Sequence, residues 1–131
     1  MKIVVCSQDG RTVSGHAGRA RKWVWFEGER GMGANKPMPS GQLELPPTQV
    51  IHTFKADGPH PLDEFPVLIT RFAGQGFVNR MRKRGVEVRF TRERSAAKAA
   101  RDFLKGTLAP PPNRRVMDLV CKVRDLFSEH A

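Results

Sequence analysis

Cysteine is scarce: Cys6 and Cys121 are the only two in 131 residues. They are too few and too distant for the disulfide framework of a small secreted domain, so reduced thiols are expected. Neither has a C-x-x-C partner, which argues against a closed structural zinc site, and two thiolates cannot supply a four-cysteine iron–sulfur centre within one chain. Long apolar runs are also missing. Ile3 to Cys6 and Val67 to Ile69 fall far short of the ~18–20 residues that cross a bilayer. The amino-terminal stretch meets the polar turn Ser7-Gln8-Asp9-Gly10 before an apolar signal segment can form, so the expected compartment is the cytoplasm. Carboxylates are few and poorly placed for catalysis. The first apolar run contains none, and Asp9, Asp57, Asp63 and Glu64 fall in turns, whereas two-metal nuclease chemistry needs several converging on one site. A nucleophile elbow, an H-E-x-x-H motif and a P-loop are absent as well. A non-enzymatic, binding role is therefore expected.

What is present is a basic chain of one-domain size, 14.7 kDa with 23 Lys+Arg against 13 Asp+Glu and a formal net charge of +10. Such a field concentrates anions, whether nucleic acid, phosphate or an anionic cluster, without choosing among them. Between Arg80 and Lys105 ten basic residues face only Glu87, Glu93 and Asp102, a local net of +7, and one side of the molecule is expected to carry most of the field. Arg80, Arg82, Lys83 and Arg84 on one helix would suit phosphate contacts, which makes a nucleic-acid-binding or protein-interaction module the alternative function.

Hydrophobic patterning gives the order of elements. Ile3-Val4-Val5 reads as a central strand covered on both faces. Arg21 to Glu27, with Trp23 and Trp25 on one face and Val24 and Phe26 on the other, reads as a second strand. Glu29 to Gly41 is a Gly- and Pro-containing loop, and Gln42 to Leu45 a third strand before Pro46-Pro47. A short helix is expected near Thr48 to Phe54. Val67-Leu68-Ile69-Thr70, the turn Gly74-Gln75-Gly76, a helix from Phe77 to Arg84 and the alternation of Val86, Val88 and Phe90 form a right-handed β-α-β unit. Ser95 caps a helix ending at Gly106. A Pro110-Pro111-Pro112 spacer follows, and then an amphipathic helix over 114–128 that is expected to pack on its own domain.

Lys2-Ile3-Val4-Val5 with Ser7-Gln8-Asp9-Gly10, then Thr12-Val13-Ser14-Gly15-His16-Ala17-Gly18-Arg19, resembles the opening of the dinitrogenase iron-molybdenum cofactor biosynthesis family. His60-Pro61-Leu62, Val67-Leu68-Ile69-Thr70, Gly74-Gln75-Gly76-Phe77 and Arg84-Gly85-Val86-Glu87-Val88 follow in that family's order. The resemblance covers roughly residues 1 to 108, leaving 109–113 as spacer and 114–131 as tail. It implies a ribonuclease H-like three-layer α/β fold with a mixed five-stranded sheet. It also implies transient binding of the iron-molybdenum cofactor or its iron-sulfur precursor, with donor and acceptor proteins of nitrogenase assembly as partners. Two departures stand out: Ala20 occupies a position where family members often carry Cys, and the tail lacks a Cys/His-rich segment.

His16, in the Gly-flanked loop after the first strand, is the leading candidate ligand for iron. Gly15, Gly18 and Arg19 are expected beside it at the cofactor. Gly74, Gln75 and Gly76 open a helix whose exposed N–H groups favour an anion. Cys6, at the carboxyl end of the first strand, and His60, between two prolines, are further candidate metal ligands. Arg71 and Arg92 lie near strand ends and join Arg19 as candidate neutralisers of negative charge. His52, His130 and Cys121 carry no regular spacing that marks a site.

Overall fold

The structure, a computed structural model, describes residues 1–31, 39–52, 54 and 58–111. Five strands, β1 (Lys2–Cys6), β2 (Lys22–Glu27), β3 (Pro39–Glu44), β4 (Val67–Thr70) and β5 (Glu87–Phe90), form one mixed sheet in the order β3-β2-β1-β4-β5. β1 is parallel to β4 and β4 to β5, while β2 runs antiparallel to both of its neighbours. Helix α1 (Gln75–Lys83) makes the crossover between β4 and β5, and α2 (Ala96–Lys105) follows β5.

Side-chain alternation divides the core into two layers. Val4, Cys6, Trp23 and Leu68 turn to one face, where Phe77 and Met81 of α1 cover them together with Leu45, Ile51, Leu62 and Phe65 from the long β3–β4 connection. Ile3, Val5, Val24, Phe26, Val67 and Ile69 turn to the other face, under Ala96, Ala99, Ala100, Phe103 and Leu104 of α2. This double cover explains why Ile3, Val4 and Val5 are all fully buried: a central parallel strand has no solvent face. Each buried Leu, Ile or Phe contributes about 1.5–3 kcal/mol relative to exposure. The alanines let α2 lie close to the sheet, so a larger residue at Ala100 would overpack that layer at a cost of about 1–3 kcal/mol.

Local chemistry sets the element ends. Ser95 accepts from the Lys98 N–H as the α2 N-cap, and Gly106 closes the helix at φ 77°, a left-handed conformation that glycine adopts without a Cβ clash. β3 begins at Pro39 rather than Gln42 because the edge position tolerates proline after a register shift beside Trp25/Phe26. Gly41 lies under the Trp25 indole, where a Cβ would come within 2.6 Å of Nε1. The helix expected near Thr48 to Phe54 is instead a 3₁₀ turn at Pro47–Gln49, which ends where Val50 takes extended backbone angles of φ −61° and ψ 130°. The spacer docks at its beginning, since Thr91 Oγ1 donates to the Ala109 carbonyl at 2.8 Å and Arg92 N–H to that of Pro110 at 2.8 Å.

Because α1 and α2 occupy opposite faces, the basic segment does not form one charged side. Arg80, Arg82, Lys83 and Arg84 belong to one layer and Lys98, Arg101 and Lys105 to the other. The amphipathic segment 114–128, Cys121 and His130 lie outside the described residues. Among the described residues no helix is long and apolar enough to cross a membrane.

Candidate functional site

The loop after β1 is held by a dense set of hydrogen bonds. The Asp9 carboxylate accepts the Arg11 N–H at 2.8 Å, the Thr12 N–H at 2.8 Å and the Thr12 hydroxyl, and these donors hold its pKa well below the usual carboxylate range. Val13 N–H donates to Arg94 O and Ala96 N–H to Arg11 O, which ties the loop to the start of α2. One residue on, the Ser14 carbonyl accepts from Thr70 Oγ1 at 2.9 Å and from the Arg71 N–H at 3.1 Å, fastening the loop to the carboxyl end of β4.

That fastening presents His16. Gly15 packs against Phe72 so closely that a Cβ would lie 2.8 Å from the ring, and Phe72 meets the His16 imidazole edge-on with centroids 4.8 Å apart. His16 sits at φ 56°, ψ 45°, the only non-glycine residue with positive φ among those described. Such a conformation is disfavoured for L residues and persists where the surroundings hold it. His16 also begins a 3₁₀ turn over Ala17–Arg19, and its side chain makes no capping bond there.

His16, Gly18 and Arg19 from this turn, Ile51 and His52 from the β3–β4 connection, and Gly74, Gly76, Phe77 and Arg80 around α1 enclose a cleft of about 320 Å³. It lies beyond the carboxyl ends of β1 and β4, parallel neighbours whose connections leave in opposite directions, β1 toward β2 and β4 through α1 to β5. That is the topological switch point at which open α/β sheets bind ligands. Among the described residues no carboxylate lines the cleft, and the titratable groups that do are two imidazoles and two guanidiniums. Gly74 caps α1 with no side chain and the first turn has no acidic residue, so the positive end of the helix dipole is not neutralised locally. The second wall is braced too: His52 N–H donates to Gly18 O at 2.7 Å and Arg80 Nη1 to Ile51 O at 2.8 Å.

The structure thus brings together His16, Gly18, Arg19, Gly74 and Gly76. Gly15 acts behind them, through Phe72. Gln75 is outside the lining, with its Nε2 donating to Asn79 Oδ1 at 2.8 Å and its Oε1 buried without a partner among the described residues. Arg71 and Arg92 are also outside it. Cys6 is fully buried in the α1-side core, its thiol donates to Gly15 O at 3.6 Å, and burial pushes its pKa up to about 12. It is a neutral packing residue, short of the thiolate a metal needs.

His60, expected as a ligand, is 5% exposed and has no ring nitrogen to offer. Its Nδ1 accepts from the Leu62 N–H and its Nε2–H donates to Gln49 O, an arrangement that fixes the tautomer. With Asp63 accepting the His60 N–H and pairing with Arg84 at 2.9 Å, it forms a capping box that anchors the β3–β4 connection. Sequence order gave no sign that His52 lines the same cleft as His16, because a long irregular connection separates them. Arg80 was visible only as one of several basic residues on a helix.

Fold and site together define an α/β protein with a mixed five-stranded sheet and a cation-lined cleft at its carboxyl edge. Among known proteins, no family model matches the chain and no curated protein matches it. Among solved structures it is similar to the crystal structure of PH0822, an archaeal protein, with a TM-score of 0.64 and 20% identity over 86% of this chain and 97% of that one. At that identity the likeness concerns the fold.

Proposed function

We propose that the chain is a non-enzymatic carrier of an anionic iron–sulfur or iron-molybdenum cluster in nitrogenase cofactor assembly, taking its cargo from a donor protein and releasing it to an acceptor in the cytoplasm. The observation that carries this reading is a cleft, without a carboxylate among its described lining residues, that places His16 beside Arg19, Arg80 and the uncapped start of α1. An imidazole nitrogen is a suitable ligand for iron, while guanidinium and helix N–H groups donate to sulfide and offset negative charge. Among the described residues no group of three or more His, Cys, Asp and Glu side chains is arranged to hold a metal ion. Cargo held by so few protein bonds must arrive assembled, which suits transfer. The sheet order 3-2-1-4-5, with β2 alone antiparallel, supports placing the fold in the ribonuclease H-like class.

The nucleic-acid reading draws less support. Arg84 donates to Gly58 O and Asp63 of its own chain, while Arg89, Lys98 and Arg101 pair with Glu87, Glu93 and Asp102. The test is anaerobic gel filtration of the protein with isolated nitrogenase cofactor or its iron–sulfur precursor, comparing wild type with His16→Asn. Asparagine tolerates the left-handed backbone that alanine would strain, so the variant removes the imidazole and little else. Iron co-eluting with wild type and lost from the variant supports the carrier; iron absent from wild type rejects it.

A further inference from the structure

The cleft holds a second imidazole. His52 lines it together with His16, and both residues are exposed. The two come from separate connections that are fixed to each other, by His52 N–H to Gly18 O at 2.7 Å and by Arg80 Nη1 to Ile51 O at 2.8 Å. Neither imidazole has a hydrogen bond or ion pair to a described residue, whereas both nitrogens of the buried His60 are used.

Resting on the carrier reading above, we propose that His52 is the second metal ligand of this cleft and acts with His16 on one net-anionic iron–sulfur cargo. The lining argues for the charge of the cargo. A bare divalent cation would meet Arg19, Arg80 and the positive end of α1 with no carboxylate among the described lining residues to compensate, so like-charge repulsion opposes it. A cluster that brings its own sulfides is attracted by the same groups. Each imidazole donates a ring-nitrogen lone pair to iron as one thiolate of the incoming cluster leaves, with no change in the oxidation state of iron. Two attachments make release require two bond breakings, and losing either one lowers affinity by about tenfold or more.

Wild type, His16→Asn, His52→Asn and the double variant would be titrated anaerobically with a synthetic cubane iron–sulfur cluster bearing monothiol ligands, and separately with Co²⁺ alone. Retained iron gives affinity, pulsed electron paramagnetic resonance of the reduced cluster with nitrogen-15-labelled histidine counts bound imidazoles, and thermal melting verifies each fold. The expected result is two coupled nitrogens in wild type, one in each single variant, affinity lower by about tenfold or more in each, and weak binding of Co²⁺. If His52→Asn binds like wild type and only one nitrogen is coupled, the inference is overturned while the carrier reading stands. No cluster on wild type overturns both, and Co²⁺ bound as tightly as the cluster overturns the anionic cargo.

Discussion

Replacing His60 by Ala separates a structural histidine from a metal ligand. The substitution removes the acceptor for the Leu62 N–H at 3.1 Å, the donor to Gln49 O, and the ring contact with Phe54 at a centroid distance of 4.8 Å. Loss of an N-cap costs about 1 kcal/mol, the orphaned, part-buried Gln49 carbonyl about 1 kcal/mol, and the vacated ring space adds a cavity cost of similar size. These effects overlap, so the expected net destabilisation is about 3 kcal/mol, a fall in melting temperature of roughly 10–15 °C for a domain of this size. His60→Asn keeps a capping acceptor and should recover about 1 kcal/mol of the loss. Thermal melting by circular dichroism measures both. A His60→Ala protein melting within about 2 °C of wild type but unable to retain cluster would refute the structural assignment and restore His60 as a ligand.

Three further outcomes follow from the same geometry. Gly15→Ala puts a methyl 2.8 Å from the Phe72 ring; expected are about 1–3 kcal/mol of destabilisation by overpacking and weaker cluster retention, whereas Gly76→Ala, with nothing within 4 Å, should melt no lower than wild type. Cys6, buried with a pKa of about 12, should resist iodoacetamide in the native protein at pH ~8 and react once urea unfolds it, as peptide mass spectrometry would show; rapid native labelling would contradict its burial. Asp9 has a depressed folded pKa, so its contribution is present above the ordinary value of 3.8 and is lost as pH falls below it. Wild type should therefore lose more stability than Asp9→Asn between pH ~5 and ~3 in parallel urea titrations, and equal losses would argue against the Asp9 turn.

Much of the fold was legible because hydrophobic period and punctuation agreed. Ile3-Val4-Val5 announced a doubly covered strand, and Ser95 and Gly106 marked both ends of α2. Trp23 and Trp25 share a face as their spacing required. The β3–β4 connection was not legible: its local His60–Asp63 capping box carries no periodic signal, and Arg84 joins Asp63 and Phe54 to it from far along the chain. For the same reason half of the site was hidden. The glycines, His16 and Arg19 sit in a recognisable loop, but His52 reaches the cleft only through a tertiary bond to Gly18. Cys6 misled because strand ends often approach ligand crevices, while here its side chain points into the core under α1.

The central claim is that the cleft at the carboxyl edge of β1 and β4 receives a metal cluster through His16. The most direct measurement is the iron retained by wild type and by His16→Asn after anaerobic gel filtration with isolated nitrogenase cofactor, with equal melting temperatures establishing equal folding. Near-stoichiometric iron is expected on wild type, with at least about a tenfold loss of affinity in the variant. Equal retention by both proteins, or none by wild type, would contradict it.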